Sequence, residues 1–463
     1  MNKSATSVTP GILGLNALDA RNQHLLALDS PKNLIGINLP CGLPAELWNI
    51  IMDCLHDDKD SLRSCLLACR SWGHFCRHHV FGTFTWNALD HDSDTKIDFE
   101  SESNLFHPCP QYVRHLAING YGYGSGSFIT INDDDSIPED WDRDMNTVHV
   151  DDGWLLPLAE RLDDFVSVVH LEVDSVDWAD MFGTHAWDTF SSSTKFLSQI
   201  RSVDFSNIPL QPFQYLLDSI CLFPALERLD YLPSHVDLDC DEVEGVDYKS
   251  YAPPSSWNAF STAHAPLQLP TSGFWTWLSA VGFTSLQTIR LDSVPTLDLP
   301  LLSRYLCLLG GSLKDFRIRF VKPRDIYTCP DDFVESAALV NSTGLEHLEI
   351  IGLVRQNCNG QIWMGEESLS LLSVVHGAAL SSLDIILDDH SWNTVPSQTS
   401  ALDKLLTTTS MFPSLKRVHI TCGWGVEIRK AFVECEEQGL LTITTLTPDY
   451  SMLATMTALA YRE

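Results

Sequence analysis

Hydrophobic residues recur along this chain at two different periods, and the switch between them divides it. Between residues 39 and 86 the period is helical up to an exit at Val80, Phe81, Phe84 and Trp86 that reads as extended. After Pro44, whose missing N–H costs nothing in a first turn, Leu47, Ile50, Ile51 and Leu55 fall on one face. Asp57, Asp58, Lys59 and Asp60 interrupt the pattern. A second apolar face follows, carrying Leu62, Cys65, Leu66 and Cys69, with Asp60 or Ser61 as its expected cap and Arg70 and Trp72 at its close. A hairpin of two such helices is too small to bury both faces against itself, so some apolar surface is left for a neighbour.

From about residue 105 the pattern shortens to apolar-x-x-apolar-x-apolar. It appears at Val113/Leu116/Ile118, Val168/Leu171/Val173, Ile200/Val203/Phe205 and Leu226/Leu229/Tyr231, then at Leu286/Ile289/Leu291, Leu313/Phe316/Ile318, Leu345/Leu348/Ile350, Leu380/Leu383/Ile385 and Leu415/Val418/Ile420. Alternation of this kind predicts a strand in each copy, with Leu348 and Ile350 facing in and His347 and Glu349 facing out. Helical stretches lie between the copies, at Leu210 to Cys221, Leu297 to Leu309, Asp332 to Val340, Glu367 to His376 and Ala401 to Thr408. Successive copies from Leu286 begin 27, 32, 35 and 35 residues apart, room for one strand, one helix and two short loops. Two intervals, 113 to 168 and 226 to 286, are nearly double and imply an insertion or a degenerate copy.

Repetition at this period is the mark of a solenoid, and the expected fold class is α/β, with parallel strands on the concave side and helices outside. From Gly423 a helix over Val426 to Gln438, a strand over Leu441 to Leu446 and a capping helix from Asp449 to Tyr461 are expected. Segments 120–152 and 234–270 break the repeat: each is acidic, the first holds GYGYGSGS and the second DLDCDEVEGVD, and both read as long loop insertions.

The order of residues in the helical region carries more than periodicity. Leu43, Pro44, Glu46, Leu47 and Ile50, then Ser61 and Leu62, then Cys69, Arg70 and Trp72 give Leu-Pro-x-Glu-Leu-x-x-Ile, Ser-Leu and Cys-Arg-x-Trp in turn. This segment resembles an F-box, and the region behind it is similar to the irregular leucine-rich-repeat part of many F-box proteins, particularly those of fungi. The asparagine usual after the strand in regular repeats is mostly absent, so these copies are degenerate. The resemblance implies a lead-in at 1–38, partly disordered, a small all-helical F-box at 39–86 and a leucine-rich-repeat-like solenoid at 105–463. It also implies a function: the substrate-recognition subunit of a Skp-Cullin-F-box ubiquitin ligase, non-catalytic itself. Leu43, Pro44, Leu47, Ile50, Leu55, Cys69 and Trp72 would form or support the surface facing the Skp adaptor, with Glu46 at its rim, while the repeats hold an unknown substrate protein. The rival expectation is a repeat scaffold whose F-box serves assembly without degradation, or is vestigial.

Composition narrows the remaining choices. The chain of 463 residues has 29 Lys and Arg against 61 Asp and Glu, a net charge of -32, which repels nucleic acid and anionic membrane surfaces. Thirteen cysteines without framework spacing point to a reducing compartment, cytosol or nucleus; the N-terminal stretch is a poor signal peptide, and no run reaches the roughly 20 apolar residues of a membrane span.

No catalytic, cofactor or metal site is expected. Cys65, Cys69, His74, Cys76, His78 and His79 invite a zinc reading, but Cys65 and Cys69 share the face assigned to the core. Asp237, Asp239 and Asp241 resemble the start of a calcium loop that Glu242 and Tyr248 then contradict. No HExxH, GxSxG or P-loop lysine motif occurs. Ten tryptophans lie beyond residue 100, divided by sequence alone between core packing and partner contact.

Overall fold

The computed structural model describes residues 47, 50–52, 54–55, 58–68, 72, 76–77, 79–88, 110–120, 154–176, 181–208, 213–233, 246–262, 272–292, 294–320, 330–352, 354–356, 362–364, 366–375, 377–387, 399–408, 410–422 and 425–445. The chain folds as two compact units, Met1–Ile200 and Arg201–Glu463. The expected loop at 120–152 past Gly120, the calcium-like run at 237–241 and the helix at 449–461 lie outside the described residues.

In the first unit Leu47 and 50–52 are helical, and α1 (Lys59–Ala68) follows. Its cap is Asp58, not Asp60 or Ser61: Asp58 Oδ1 accepts from the Ser61 backbone N–H at 3.0 Å, and the Ser61 hydroxyl donates to Oδ2 at 2.6 Å. One carboxylate thereby satisfies a first-turn amide that Asp60, already inside the helix, could not reach. Met52, Leu62 and Cys76 form a small buried cluster, with Leu55, Cys65, Trp72 and Val80 packed against it. Arg77, nearly buried, donates to the Tyr112 hydroxyl at 3.0 Å and lies 5.6 Å from that ring's centroid.

The chain then enters β1 (Thr83–Asn87), which pairs in parallel with β2 (His115–Asn119), as β2 does with β3 (His170–Asp174). Phe84 stacks on Phe165 at 5.6 Å, and Trp86 Nε1 donates to the Trp154 carbonyl at 3.1 Å, so the exit from the helical segment is fastened to this sheet. Helices α2 (Leu156–Ala159), α3 (His185–Ser192) and α4 (Thr194–Leu197) complete the unit; Thr184 Oγ1 caps α3 by accepting from Trp187 N–H.

The second unit runs β4 (Ser202–Ile208), β5 (Arg228–Pro233), β6 (Ala259–Thr262), β7 (Thr288–Leu291), β8 (Asp315–Arg319) and β9 (His347–Ile351). A short antiparallel pair, β10 (Val354–Gln356) and β11 (Ile362–Met364), precedes β12 (Ser382–Ile386), β13 (Arg417–Cys422) and β14 (Leu441–Thr445). Apart from that pair, every strand of this unit lies parallel beside the next in chain order, the arrangement of a solenoid-like repeat. Parallel neighbours need a crossover connection, and the helices between strands supply it: α5 (Phe213–Cys221), α6 (Ser272–Ala280), α7 (Leu299–Leu309), α8 (Pro330–Glu335), α9 (Glu366–Val374) and α10 (Thr399–Thr407).

A backbone signature recurs at the entrances of most successive strands. The carbonyl of Lys314 accepts from both Glu346 and His347 N–H, that of Glu346 from Ser381 and Ser382, and that of Ser381 from Lys416 and Arg417. The same pattern occurs in the first unit, where the Gly82 carbonyl accepts from Arg114 and His115. Where successive turns press closest only glycine fits, since a Cβ at Gly344 would come within 2.0 Å of the Gly311 carbonyl oxygen.

The last two residues of every expected triplet lie inside a strand, and all are at most 1 % exposed. Three differences stand out. The long 226–286 interval hides a degenerate copy: Trp257, Phe260 and Thr262 fill the triplet slots, the last two within β6, so the expected loop at 234–270 holds a strand. The expected 426–438 helix is broken at Phe432 into α11 (Gly425–Ala431) and α12 (Val433–Glu437), because buried Asp403 draws the Glu434 and Cys435 N–H groups to its two oxygens at 2.8 and 2.9 Å. Short helices α2, α3 and α4, and the aromatic α6, were not visible as periodic stretches. Trp154, Trp187, Trp257, Trp275 and Trp277 are all buried, which assigns them to the core. Among the described residues no helix is long and apolar enough to cross a membrane.

Candidate functional site

Two surfaces have the character of a binding site. The first is the helical segment ahead of β1, a strand that takes up the end of the 39–86 span expected to be all helical. Leu47, Ile50 and Ile51 project outward, with Ile50 56 % exposed, while Met52 on the same helix is buried. The split follows from helical geometry: Met52 is turned onto Leu62 and Cys76, leaving its neighbours on the outer face. Of the other adaptor-facing residues expected from the sequence, Leu55 and Trp72 pack against the inner cluster. Leu43, Pro44, Glu46 and Cys69 lie outside the described residues.

Cys65 and Cys76 behave as apolar packing. Cys76 is buried with its Sγ 3.5 Å from Met52 Sδ, and burial pushes its thiol up to about 11. A thiol held protonated in this way is a poor metal ligand.

The second surface is the polar face of the parallel strands in the second unit. Register puts Arg290, Arg317, Glu349, Asp384 and His419 in one row, and Asp315, His347, Ser382 and Arg417 in the row beside it. All nine stand between the buried triplet positions, so alternation turns them to the opposite face.

They are joined in a chain. Arg290 meets Asp315 at 3.2 Å, His347 bridges Asp315 at 3.0 Å and Asp384 at 2.7 Å, and Asp384 meets His419 at 2.7 Å and Arg417 at 3.1 Å. His419 Nε2 reaches on to Thr444 at 2.8 Å. On the flank Arg317 lies between Asp292 at 3.5 Å and Glu349 at 3.7 Å.

The chain fixes protonation. Hydrogen bonds to Asp315 and Asp384 outweigh burial and push His347 up to about 9, so it is an imidazolium at neutral pH. Burial raises the Asp384 carboxyl, but hydrogen bonds from His347 and His419 and the charges of His347 and Arg417 overcome it and hold it well below the usual carboxylate range. At Asp315 burial is likewise outweighed, by His347 and Arg290, and the carboxyl is lowered. Glu349 is raised, burial outweighing Arg317. Charges paired in this way along one face can select a partner by electrostatic complementarity.

The sequence offered one unread signal for this surface. The single residue between the second and third triplet positions is charged or histidine in copy after copy: Glu172, Asp204, Asp230, Arg290, Arg317, Glu349, Asp384 and His419. The same slot in the first unit takes part in a third grouping, in which donor atoms of His115, His170 and Glu172 lie within 4.8 Å of one another. A hydrogen bond from His115, with the charges of His115 and His170, holds the Glu172 carboxyl below its usual range against the opposing effect of burial. Among the described residues it is the grouping whose donors could hold a metal ion, and it does not include the cysteines and histidines of the 65–79 stretch.

No protein-family model matches this chain, and no curated protein matches it. Among solved structures, a crystal structure of a Bacteroides fragilis protein is similar to it with a TM-score of 0.32 and 12% identity, covering 63% of this chain and 68% of its own, a likeness too slight to bear on function.

Proposed function

We propose that this chain is a non-catalytic substrate receptor of a Skp-Cullin-F-box ubiquitin ligase. Its F-box-like helices dock the Skp adaptor, and its leucine-rich-repeat-like strands present the substrate-binding face. The observation that carries the reading is the exposed apolar edge of Leu47, Ile50 and Ile51 on a helix whose inner face is already packed, at the positions where the sequence resembles the motif. Apolar side chains held outward on a cored hairpin are what a partner with its own apolar surface would bury. The polar rows around Asp384 supply the substrate side, since paired charges select partners by electrostatic complementarity. Such a receptor works in the cytosol or nucleus.

The test is co-expression of the full chain with the Skp adaptor and cullin of its host, followed by affinity purification. A receptor brings down adaptor and cullin together, and Ile50→Asp abolishes both while leaving the circular dichroism spectrum unchanged. Recovery of the adaptor without the cullin would favour the assembly scaffold, and recovery of neither by a folded chain would remove the receptor reading.

A further inference from the structure

We infer that His115, His170 and Glu172 form a binding site for one divalent transition-metal ion of the zinc class. The argument begins with register. His115 on β2 and His170 on β3 are direct partners across the parallel pair, and Glu172 follows His170 by two residues, so all three emerge on the same face of adjacent strands. The two imidazole rings meet edge to face at 4.3 Å between centroids, and His115 Nε2 lies 2.9 Å from Glu172 Oε2.

Two imidazoles and a carboxylate are the donor set that zinc accepts with a coordination position left over. The spacing suits it: bonds of about 2.0 to 2.2 Å to zinc put neighbouring donors roughly 3.3 Å apart, and the three atoms here are already within 4.8 Å. A small χ rotation closes the difference. The backbone holding them is strand, so the donors start in a fixed geometry rather than on loops.

The surroundings leave the ion a way in. Register sets Ala117 beside Glu172, where a larger side chain would fill the space, and on the next strand Thr83 and Thr85 are exposed at the same level. The side chains of His115 and Glu172 are themselves 31 % and 36 % exposed. An ion bound there would keep one position for water or for a donor from a bound partner.

The site is independent of adaptor docking, so its test does not depend on that reading. The full chain is stripped with chelator and titrated with Zn2+ against a chromophoric competitor, then with Co2+ as a spectroscopic stand-in. The expected result is one site per chain whose affinity falls at least about 100-fold in His170→Asn and in Glu172→Gln, beyond the roughly 10 to 100-fold typical of an outer-shell partner. Co2+ should give visible d–d bands without a thiolate charge-transfer band, and Zn2+ should raise the melting temperature of the wild type but not of the variants. Unchanged Zn2+ affinity in folded variants, a thiolate band, or a wild type without such a site would overturn the inference.

Discussion

The helical segment and the strands of the second unit solve the problem of apolar surface in opposite ways. In the strands that carry the triplets the paired apolar positions are at most 1 % exposed, and the outward face carries ion pairs. In the helical segment the described core is three buried residues, and Leu47, Ile50 and Ile51 stay in water. A long repeat buries its strand residues copy on copy, whereas a short helical segment has few neighbours to pack against. The remainder is therefore the more informative surface: left in water it adds nothing to folding, and its burial is there for a partner to gain.

Substitutions should separate the two regions by size of effect. Trp257→Ala removes a fully buried ring packed on Phe260 and Phe283 in the degenerate copy, and should lower unfolding free energy by about 3 to 5 kcal/mol in urea denaturation. A cost near zero would mean that β6 is not an integral strand. Asp384→Asn keeps the shape but removes the charge shared by His347, His419 and Arg417, and should cost about 1.5 to 3 kcal/mol at neutral pH. Equal stability of variant and wild type would show that the row contributes nothing to folding.

The same row sets a pH dependence. His347 is raised from 6.5 to about 9, so its contribution is complete below pH 6.5 and is lost as pH rises through about 9. Asp384 is lowered from 3.8, so its contribution is complete above that value and is lost as pH falls below it. Urea midpoints should accordingly decline between about pH 6.5 and 9.5 in the wild type and decline less in Asp384→Asn. NMR titration of the His347 ring should give a midpoint near 9, and a midpoint at the free-imidazole value would contradict the bridge. Smallest of all, Ile50→Ala should change stability by no more than about 0.5 kcal/mol, because its side chain is mostly in water.

Legibility in the sequence followed the same division. The triplets were readable because a strand with one buried face imposes period two on local sequence, and Leu348/Ile350 or Val418/Ile420 obey it without help from neighbours. β6 was hidden because Thr262 fills an apolar slot beside an acidic run. The break at Phe432 depends on Asp403, some thirty residues upstream, and no local window contains both. The ion-pair rows and the His115, His170 and Glu172 grouping are products of register, which joins residues that the sequence keeps apart. The outer apolar edge was legible from helical spacing, but which of Leu47, Ile50, Leu55 and Trp72 stay outside was decided by the inner cluster.

The most direct test of the account is the affinity of the purified full chain for the Skp adaptor, measured by calorimetry for wild type, Leu47→Ala and Ile50→Ala, with a urea melt of each. A substrate receptor of this kind should bind as wild type and lose about 1 to 4 kcal/mol of binding in both variants with stability unchanged. Unaltered affinity in the two variants, or no binding by a folded wild type, would contradict it.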